Sequence, residues 1–386
     1  MTLVFIAKES RSGETRVAAT PETVARMVKH GLTVQVAAGA GLQAGIADAA
    51  YSAAGASIAA ADSSAWSGAD LLLKVAAPSA QEARGLKKGA VVVSYLDGVR
   101  NSESVRAVAD VGATSFAMEL VPRTTKAQKM DALSSQANIA GYKAVLIAAA
   151  ALPKYFPMLM TAAGTVRPAR VVIFGVGVAG LQAIATAKRL GAIVEATDIR
   201  PETKEQVESL GGKFIEVKPD ESAAQPSVYA KEASEDYKRR QREAVAASVA
   251  NADVVITTAQ VPGKKAPILV PEEMVKAMTP GSVIVDLAAE QGGNCPLSEP
   301  GRTVVKHGVT IIGPVNLPAG TAVHASELYA RNVWAVVEHL VPAKGNDARA
   351  IKLDLAEEIC AGAVAIHAGE IRHAPTAQAL QTPATA

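Results

Sequence analysis

The chain has few cysteines, few aromatic residues and little net charge. Two cysteines among 386 residues, Cys295 and Cys360, exclude a disulfide framework and a multi-thiolate metal site, and they favour a reducing compartment. We expect both to be ordinary buried thiols. A formal charge of +2 and an aromatic content of 4% provide neither a basic field nor rings for base stacking, so no nucleic-acid partner is expected.

Long apolar runs and metal-ligand spacings are absent as well. The apolar run at the start, in MTLVFIAKES, is too short for a signal peptide and predicts a first strand. The longest helical apolar run, residues 145–152, ends at Pro153, far short of the roughly 20 residues that span a bilayer. The six histidines show no HxxxH or HExxH spacing, so we expect no metal site and no membrane-spanning segment.

The composition that is present predicts an α/β protein of about two domains. Hydrophobic residues make up 49% and charged residues 20% of the chain, as in globular proteins. Short apolar runs alternate with helical stretches, which is typical of parallel sheets. A first helix is predicted from the N-cap Thr20 and Pro21 to Gly31. The first five apolar runs are residues 3–7, 32–37, 71–75, 90–96 and 113–120.

Residues 169–200, ARVVIFGVGVAGLQAIATAKRLGAIVEATDIR, carry a dinucleotide-binding fingerprint in its full context. A β-branched run enters Gly175, Gly177 and Gly180, spaced GxGxxG, and a helix of small residues follows. The first glycine makes the turn, the second lets backbone approach a pyrophosphate, and the third lets helix and strand pack closely. The helix N-terminus then faces the diphosphate.

The next predicted strand ends in Asp198, which can accept hydrogen bonds from an adenosine ribose. Its carboxylate would repel a 2′-phosphate, although Arg200, two residues later, could hold one. We therefore expect NAD rather than NADP at this site.

Two polar segments are further candidates. Residues 118–145 lead from a strand into a helix, and Arg123, Gln128, Asp131 and Ser134 could form a polar cluster at an interdomain cleft. By pattern alone, a loop with a helix N-cap at Ser134 or Ser135 explains them equally well. Residues 218–237 are either a solvated insertion or a lid, with Tyr229 in the middle.

These patterns predict two Rossmann-like doubly wound parallel-sheet domains with a cleft between them. The first comprises residues 1–133 plus 320–386 and the second residues 134–319. After a long helix, residues 325–340, the sequence predicts a returning helix and a small hairpin that pack on the first domain. The final segment, HAPTAQALQTPATA, predicts no regular structure.

Over nearly its whole length the chain resembles the NAD(H)-binding subunit, domain I, of proton-translocating NAD(P) transhydrogenases. The resemblance rests on long runs, among them RTTKAQKMDALSSQANIAGY, TKEQVESLGGKFIEV and LAAEQGGNCPLSEPG. Such runs are far more specific than GxGxxG. In the same superfamily, alanine dehydrogenase is the alternative, because RVAATPETV with Arg16, and also Lys74, are similar to its pyruvate-holding segments. That enzyme's catalytic His and Asp are replaced here by Asp97 and Glu290. A non-catalytic NADH sensor is a third reading.

The resemblance implies roles for particular residues. Arg123, Gln128, Asp131 and Ser134 would be catalytic positions around the nicotinamide and its ribose, with Gln128 also meeting the partner domain. Tyr229 would belong to a mobile loop that closes over NAD(H), although the flanks AAQPSVY lack the glycine-rich pattern associated with it. The further cofactor-binding positions would be Lys129, Met130, Gly175, Gly177, Val178, Gly180, Asp198, Ile199, Arg200, Val228, Gln241 and Gln260.

The resemblance also implies an incomplete machine. NADP(H) would sit on a partner, the transhydrogenase beta subunit, and protons would pass through a membrane-spanning subunit. The chain would form a homodimer and lie in the cytoplasm, peripherally associated with the inner membrane through those partners.

Overall fold

The computed structural model describes residues 2–60, 63–216, 235–261, 264–342 and 350–381. Two compact units form, one from Met1–Gln136 with Pro318–Ala386 and the other from Ala137–Leu317. The sequence predicts these boundaries after residues 133 and 319. Each unit is described by itself, with elements numbered through the whole chain.

The first unit contains an eight-stranded sheet with six parallel strands and an antiparallel hairpin at one edge. Its strands are β1 Leu3–Ile6, β2 Thr33–Ala37, β3 Ser57–Ala59, β4 Leu71–Leu73, β5 Val91–Ser94, β6 Thr114–Ala117, β16 Val364–His367 and β17 Glu370–Ile371. Across the sheet they follow the order β3-β2-β1-β4-β5-β6-β16-β17. The predicted small hairpin is therefore confirmed as an extension of this sheet.

The helices of the first unit begin and end where local chemistry predicts. At the first, the Thr20 backbone N–H donates to the Thr23 hydroxyl at 3.0 Å, Pro21 occupies the first position, and Gly31 follows with φ +78°. The helices are α1 Pro21–Lys29, α2 Asp48–Ala53, α3 Ser63–Gly68, α4 Ala80–Arg84, α5 Ser102–Asp110, the start of α6 Ala132–Ala151, α11 Ala322–Leu340, α12 Glu358–Ala363 and α13 Ala374–Gln381.

The second unit contains a seven-stranded sheet and a separate two-stranded hairpin. The hairpin is β7 Leu159–Thr161 with β8 Gly164–Val166. The sheet strands are β9 Arg170–Phe174, β10 Ile193–Thr197, β11 Lys213–Phe214, β12 Val254–Thr257, β13 Val283–Asp286, β14 Thr303–Lys306 and β15 Val309–Ile312. Their order is β11-β10-β9-β12-β13-β15-β14, and all but the edge strand β14 are parallel. The helices are the rest of α6, α7 Val178–Arg189, α8 Thr203–Ser209, α9 Glu235–Ala250 and α10 Glu272–Ala277.

Both faces of the second sheet are covered. Val171 and Ile173 of β9 belong to one hydrophobic cluster, while Val172 and Phe174 belong to another. Alternation along the strand sends neighbouring side chains to opposite faces, so each face buries its own apolar layer. The predicted class, α/β with two Rossmann-like doubly wound parallel sheets, is confirmed.

Two details differ from expectation. The segment predicted to lack structure forms α13, Ala374–Gln381, and Thr376 within it is only 1% exposed. The hairpin β7–β8 was not predicted, because its strands are three residues long and exposed throughout, without an alternating pattern. Among the described residues, no helix combines the length and apolar character needed to cross a membrane.

Candidate functional site

The turn after β9 is shaped by Gly175. Its φ of +89° is disfavoured for residues with a side chain, and an added Cβ would lie 2.6 Å from Thr258 Oγ1. The Thr258 hydroxyl lies 3.1 Å from both the Phe174 and the Gly175 carbonyl oxygens, which links β12 to the turn. The turn is therefore held rigidly at the carboxyl edge of the sheet.

The other two glycines differ in what surrounds them. A Cβ on Gly180 would lie 1.9 Å from the Gly175 carbonyl oxygen, so helix α7 touches the turn there. A Cβ on Gly177, directly before α7, would meet nothing within 4 Å. Packing among the described residues therefore requires glycine at position 180 but not at position 177. The open space at Gly177 fits an external group that approaches the backbone at the helix N-terminus.

Asp198 follows β10 at the same edge and is fully engaged. One carboxylate oxygen accepts the Val176 N–H at 2.7 Å and Arg200 Nη2 at 3.0 Å. The other accepts the Arg200 backbone N–H at 2.9 Å and Nε at 3.0 Å. The Asp198 side chain is 7% exposed, whereas that of Arg200 is 51% exposed. Burial opposes the charge on Asp198, but the Arg200 and Val176 hydrogen bonds outweigh it and lower the pKa.

A polar framework that the sequence analysis missed supports this edge of the sheet. Asn294 donates to the Ala259 and Pro267 carbonyl oxygens at 2.9 and 2.7 Å and accepts the Ala259 N–H at 3.2 Å. Asp286, at the end of β13, accepts Thr257 Oγ1 at 2.9 Å and Ser298 Oγ at 2.7 Å. The only sequence signal for these residues was their position directly after apolar strands.

Residues predicted to contact nucleotide from this unit are placed unevenly. Val178 and Ile199 are exposed apolar residues, at 40% and 95%, beside the turn and after β10. Gln260 follows β12 and donates to the Leu287 carbonyl oxygen at 2.6 Å. Gln241 is a half-buried residue of α9. The expectations for Val228 and Tyr229 lie outside the described residues.

The loop before α6 belongs to the first unit. Arg123, Gln128 and Lys129 are exposed, whereas Met130 is 6% exposed and packs in the hydrophobic core. The Lys129 carbonyl oxygen accepts Asn332 Nδ2 at 2.8 Å, which fixes the loop to α11.

Asp131 and Ser134 form the N-terminal cap of α6. Asp131 Oδ1 accepts the Ser134 N–H at 2.9 Å, and Ser134 Oγ donates to Asp131 Oδ2 at 2.6 Å. The prediction of an N-cap at Ser134 or Ser135 is therefore wrong, because the helix starts one turn earlier with an aspartate as cap. The contacts of Asp131 and Ser134 with a nicotinamide remain predictions.

In the first unit, charged side chains fill the region after β1. Arg16 donates through Nε and Nη2 to the two carboxylate oxygens of Glu14, both at 2.7 Å, and through Nη1 to Gln136 at 2.9 Å. The Arg16 and Glu14 side chains are 7% and 2% exposed. Two charged hydrogen bonds in parallel make this a strong pair that neutralises the guanidinium.

Lys74, directly after β4, is fully buried. Its Nζ lies 3.3 Å from Glu82 and 3.7 Å from Glu9. Glu9 also accepts the Val75 and Ala76 N–H groups at 2.6 and 3.3 Å, so it bridges the ends of β1 and β4. Burial raises the pKa of Glu9 even though Lys74 and these hydrogen bonds oppose the shift.

The positions that replace the catalytic pair of alanine dehydrogenase are exposed. Asp97 has φ +46° and an ion pair with Arg100 at 3.8 Å, and its side chain is 45% exposed. Glu290 is an exposed residue of a short 3-10 segment. Neither carboxylate is held in a buried, charge-tuned environment of the kind that general acids and bases use.

Strand order, helical layers and the glycine turn define the class, a Rossmann-like doubly wound α/β protein. Two family models match: Alanine dehydrogenase/PNT, N-terminal domain, over residues 5–140, and Alanine dehydrogenase/PNT, C-terminal domain, over residues 144–374. The chain therefore belongs to the alanine dehydrogenase/PNT family and, within it, to the NAD(P) transhydrogenase alpha subunits.

The relatives that support this placement match almost end to end. The first of the chains that make up the NAD(P) transhydrogenase alpha subunit of Rhodospirillum rubrum is 50% identical, covering 96% of this chain and 97% of that protein. The crystal structure of transhydrogenase from Sinorhizobium meliloti superimposes with a TM-score of 0.86 at 46% identity, covering 96% and 99% of the two chains. Alanine dehydrogenase of Bacillus subtilis is 33% identical over 86% of this chain and 83% of that enzyme.

Proposed function

We propose that this chain binds NAD(H) and passes hydride directly between it and NADP(H) held on a partner subunit of a proton-translocating transhydrogenase. The observation that carries the proposal is the open backbone at Gly177 beside the buried carboxylate of Asp198. Likeness to transhydrogenase alpha subunits supports the reaction.

The adenosine half of the nucleotide fits the second unit. The pyrophosphate would approach Gly177 at the N-terminus of α7, and Ile199, 95% exposed, offers an apolar contact for the adenine. Asp198 would accept the ribose hydroxyls and repel a 2′-phosphate.

Binding of the ribose requires Arg200 to give way. The Asp198 oxygens already accept four hydrogen bonds, three of them from Arg200. Because the Arg200 side chain is 51% exposed, its release to water costs about 1 kcal/mol or less. The guanidinium is therefore a replaceable lid on the ribose acceptor.

For the nicotinamide end we assign Arg123, Gln128, Asp131 and Ser134, following the family resemblance. Arg123 and Gln128 are exposed and fixed on a loop that Asn332 anchors, which suits residues that orient a ring. Gln128→Asn should slow hydride transfer while NADH still binds. Lost affinity with normal turnover would contradict this role.

Direct transfer needs orientation and no proton donor. A hydride, one hydrogen with its electron pair, leaves C4 of NADH for C4 of NADP⁺ and gives NAD⁺ and NADPH. The two carbon atoms must approach to about 3–3.5 Å with water excluded. This agrees with the exposed carboxylates at positions 97 and 290.

The alternative, an alanine dehydrogenase, needs an anion site for an oxo acid. Arg16 and Lys74 would supply it, but internal carboxylates already pair with both cations. We therefore expect no turnover with pyruvate and ammonium.

The partners are a beta subunit with NADP(H), a membrane-spanning subunit and a second copy of this chain. The β7–β8 hairpin supports the homodimer, because Met158, Leu159 and Met160 are 59%, 38% and 73% exposed on it. Met160→Asp should shift the chain from dimer to monomer in analytical ultracentrifugation. The assembled enzyme would hold this subunit on the cytoplasmic face of the membrane.

The test of the reaction is NADH-driven reduction of NADP⁺ or of a nicotinamide analogue by the purified chain, alone and with an NADP(H)-binding transhydrogenase domain. Transfer only after the loaded partner is added would support the proposal. Tight NADH binding without transfer would contradict it, and turnover of pyruvate with ammonium would favour the dehydrogenase instead.

A further inference from the structure

Three side chains of mixed chemistry meet in the first unit, apart from the residues assigned to nucleotide. His339 lies in the last turn of α11, Glu357 directly precedes α12, and Cys360 lies within α12. One ligand atom from each residue lies within 4.8 Å of the other two. His339 Nε2 is 3.2 Å from Glu357 Oε2 and 3.9 Å from Cys360 Sγ.

These separations match the edges of a tetrahedral metal site. Zinc binds nitrogen and oxygen at about 2.0–2.2 Å and sulfur at about 2.3 Å, so tetrahedral ligand atoms lie roughly 3.3–3.6 Å apart. Shifts of a few tenths of an ångström would bring His339, Glu357 and Cys360 to that geometry. A thiolate with an imidazole selects zinc over magnesium or calcium, which prefer oxygen ligands.

The carboxylate is already oriented. Glu357 Oε2 accepts the backbone N–H groups of Ile359 and Cys360 at 3.0 and 3.1 Å, besides the contact with His339. These bonds all end on Oε2, and Oε1 takes part in none of them. The cap thus holds Glu357 beside the other two ligands while its second oxygen can turn toward an ion.

The cluster is closed on one side and open on the other. Cys360 is 1% exposed, whereas the side chains of His339 and Glu357 are 28% and 32% exposed. An ion can therefore enter from solvent past the imidazole and the carboxylate, and a water molecule can occupy the fourth position.

We propose that His339, Glu357 and Cys360 bind one zinc ion, with water as the fourth ligand. On binding, the Cys360 thiol loses its proton to solvent, and His339 coordinates through Nε2 with its ring hydrogen on Nδ1. The ion would join the end of α11 to α12, which leads into the β16–β17 edge of the sheet. The linear spacing of these residues hides the cluster.

The experiment starts from full-length protein treated with a chelator and then dialysed against zinc alone, with bound metal measured by elemental analysis. We expect one zinc per chain in the wild type and in Cys295→Ser. Cys295 is a matched control, because it is also a buried thiol but lies in the second unit. Cys360→Ser should bind zinc at least about 100-fold more weakly, since removal of a ligand exceeds typical effects of residues behind the ligands.

A second variant guards against misfolding. His339→Gln changes a partly exposed residue, retains a hydrogen-bond donor for Glu357 and should also lose zinc. With cobalt in place of zinc, the wild type and Cys295→Ser should show thiolate-to-cobalt absorption, and Cys360→Ser should not. No zinc in the wild type, or equal zinc in both ligand variants, would overturn the proposal. Neither result bears on NADH binding, so the proposed function is tested separately.

Discussion

The two units share a strand order but differ at the point where it reverses. In each, the third, second and first parallel strands are followed across the sheet by the fourth, fifth and sixth. The second unit has an open glycine turn after its first strand, at Gly177. The first unit instead places Glu9 after its first strand and Lys74 after its fourth, and they pair with each other.

The contrast between the units separates topology from function. Sheets of this kind offer a crevice at the reversal point, and ligands commonly bind there. A glycine without a neighbour leaves that crevice accessible, whereas buried carboxylates and cations occupy it from within. The same order of strands thus yields one unit suited to a nucleotide and another whose corresponding position is filled by its own charges.

The largest expected effect comes from breaking the buried pair of the first unit. Arg16→Met leaves the Glu14 carboxylate buried without its guanidinium, which should lower the free energy of unfolding by about 3–5 kcal/mol. Arg26→Met, at an exposed pair with Glu22, is the control and should cost about 1 kcal/mol or less. Urea denaturation measures both. Equal effects would show that the buried pair is not the support we describe.

The second effect tests the open turn. Gly180→Ala drives a methyl group into the Gly175 carbonyl and should cost about 1–3 kcal/mol of stability. Gly177→Ala should change stability by only about 0.5 kcal/mol, because nothing lies near the new Cβ. Both should bind NADH more weakly in a fluorescence titration. Unchanged affinity in Gly177→Ala would mean that no ligand approaches there.

The third effect concerns affinity alone. Asp198→Ala removes a charged acceptor and should weaken NADH binding by about 1.5–3 kcal/mol. Glu299→Ala, at an exposed ion pair with Arg302, should leave affinity unchanged. Calorimetric titration compares the two, and an unchanged affinity in Asp198→Ala would place the ribose partner elsewhere.

The smallest effect is a pH dependence in the first unit. Burial raises the pKa of Glu9 above 4.5, so protonation favours the folded state. The resulting stabilisation is present below the unfolded pKa and is lost as pH rises through the folded pKa. Glu9→Gln should therefore flatten the fall in unfolding free energy just above pH 4.5.

Glu22 provides the opposite control. A hydrogen bond from Arg331, the largest contribution, lowers its pKa below 4.5. Glu22→Gln should accordingly change the profile only on the acid side, where stability is lost as pH falls through the folded pKa. Urea denaturation at successive pH values follows both variants, and parallel profiles for Glu9→Gln and the wild type would contradict the role given to Glu9.

Local features of the sequence predicted the second unit better than the first. The strand, the three glycines and helix α7 are adjacent in sequence, so period and turn chemistry identify them. The carboxylates that neutralise Arg16 and Lys74 come from positions 9, 14 and 82, and no local pattern pairs them. Their role depends on tertiary contacts.

Helix ends show the same limit at smaller scale. Asp131, Ser134 and Ser135 are all good capping residues, so the sequence did not distinguish the true cap of α6. Helix α13 was missed because its segment has no apolar period. Its Thr376 instead packs beside Gly98, where an added Cβ would lie 2.4 Å from the Thr376 hydroxyl oxygen.

Hydrogen–deuterium exchange with and without NADH tests the central contrast most directly. We expect NADH to slow exchange in peptides covering residues 175–180 and 198–200 and to leave those covering residues 9–16 and 74–76 unchanged. Protection of the β1 and β4 loops of the first unit, without protection of the glycine turn, would contradict the contrast between the two units.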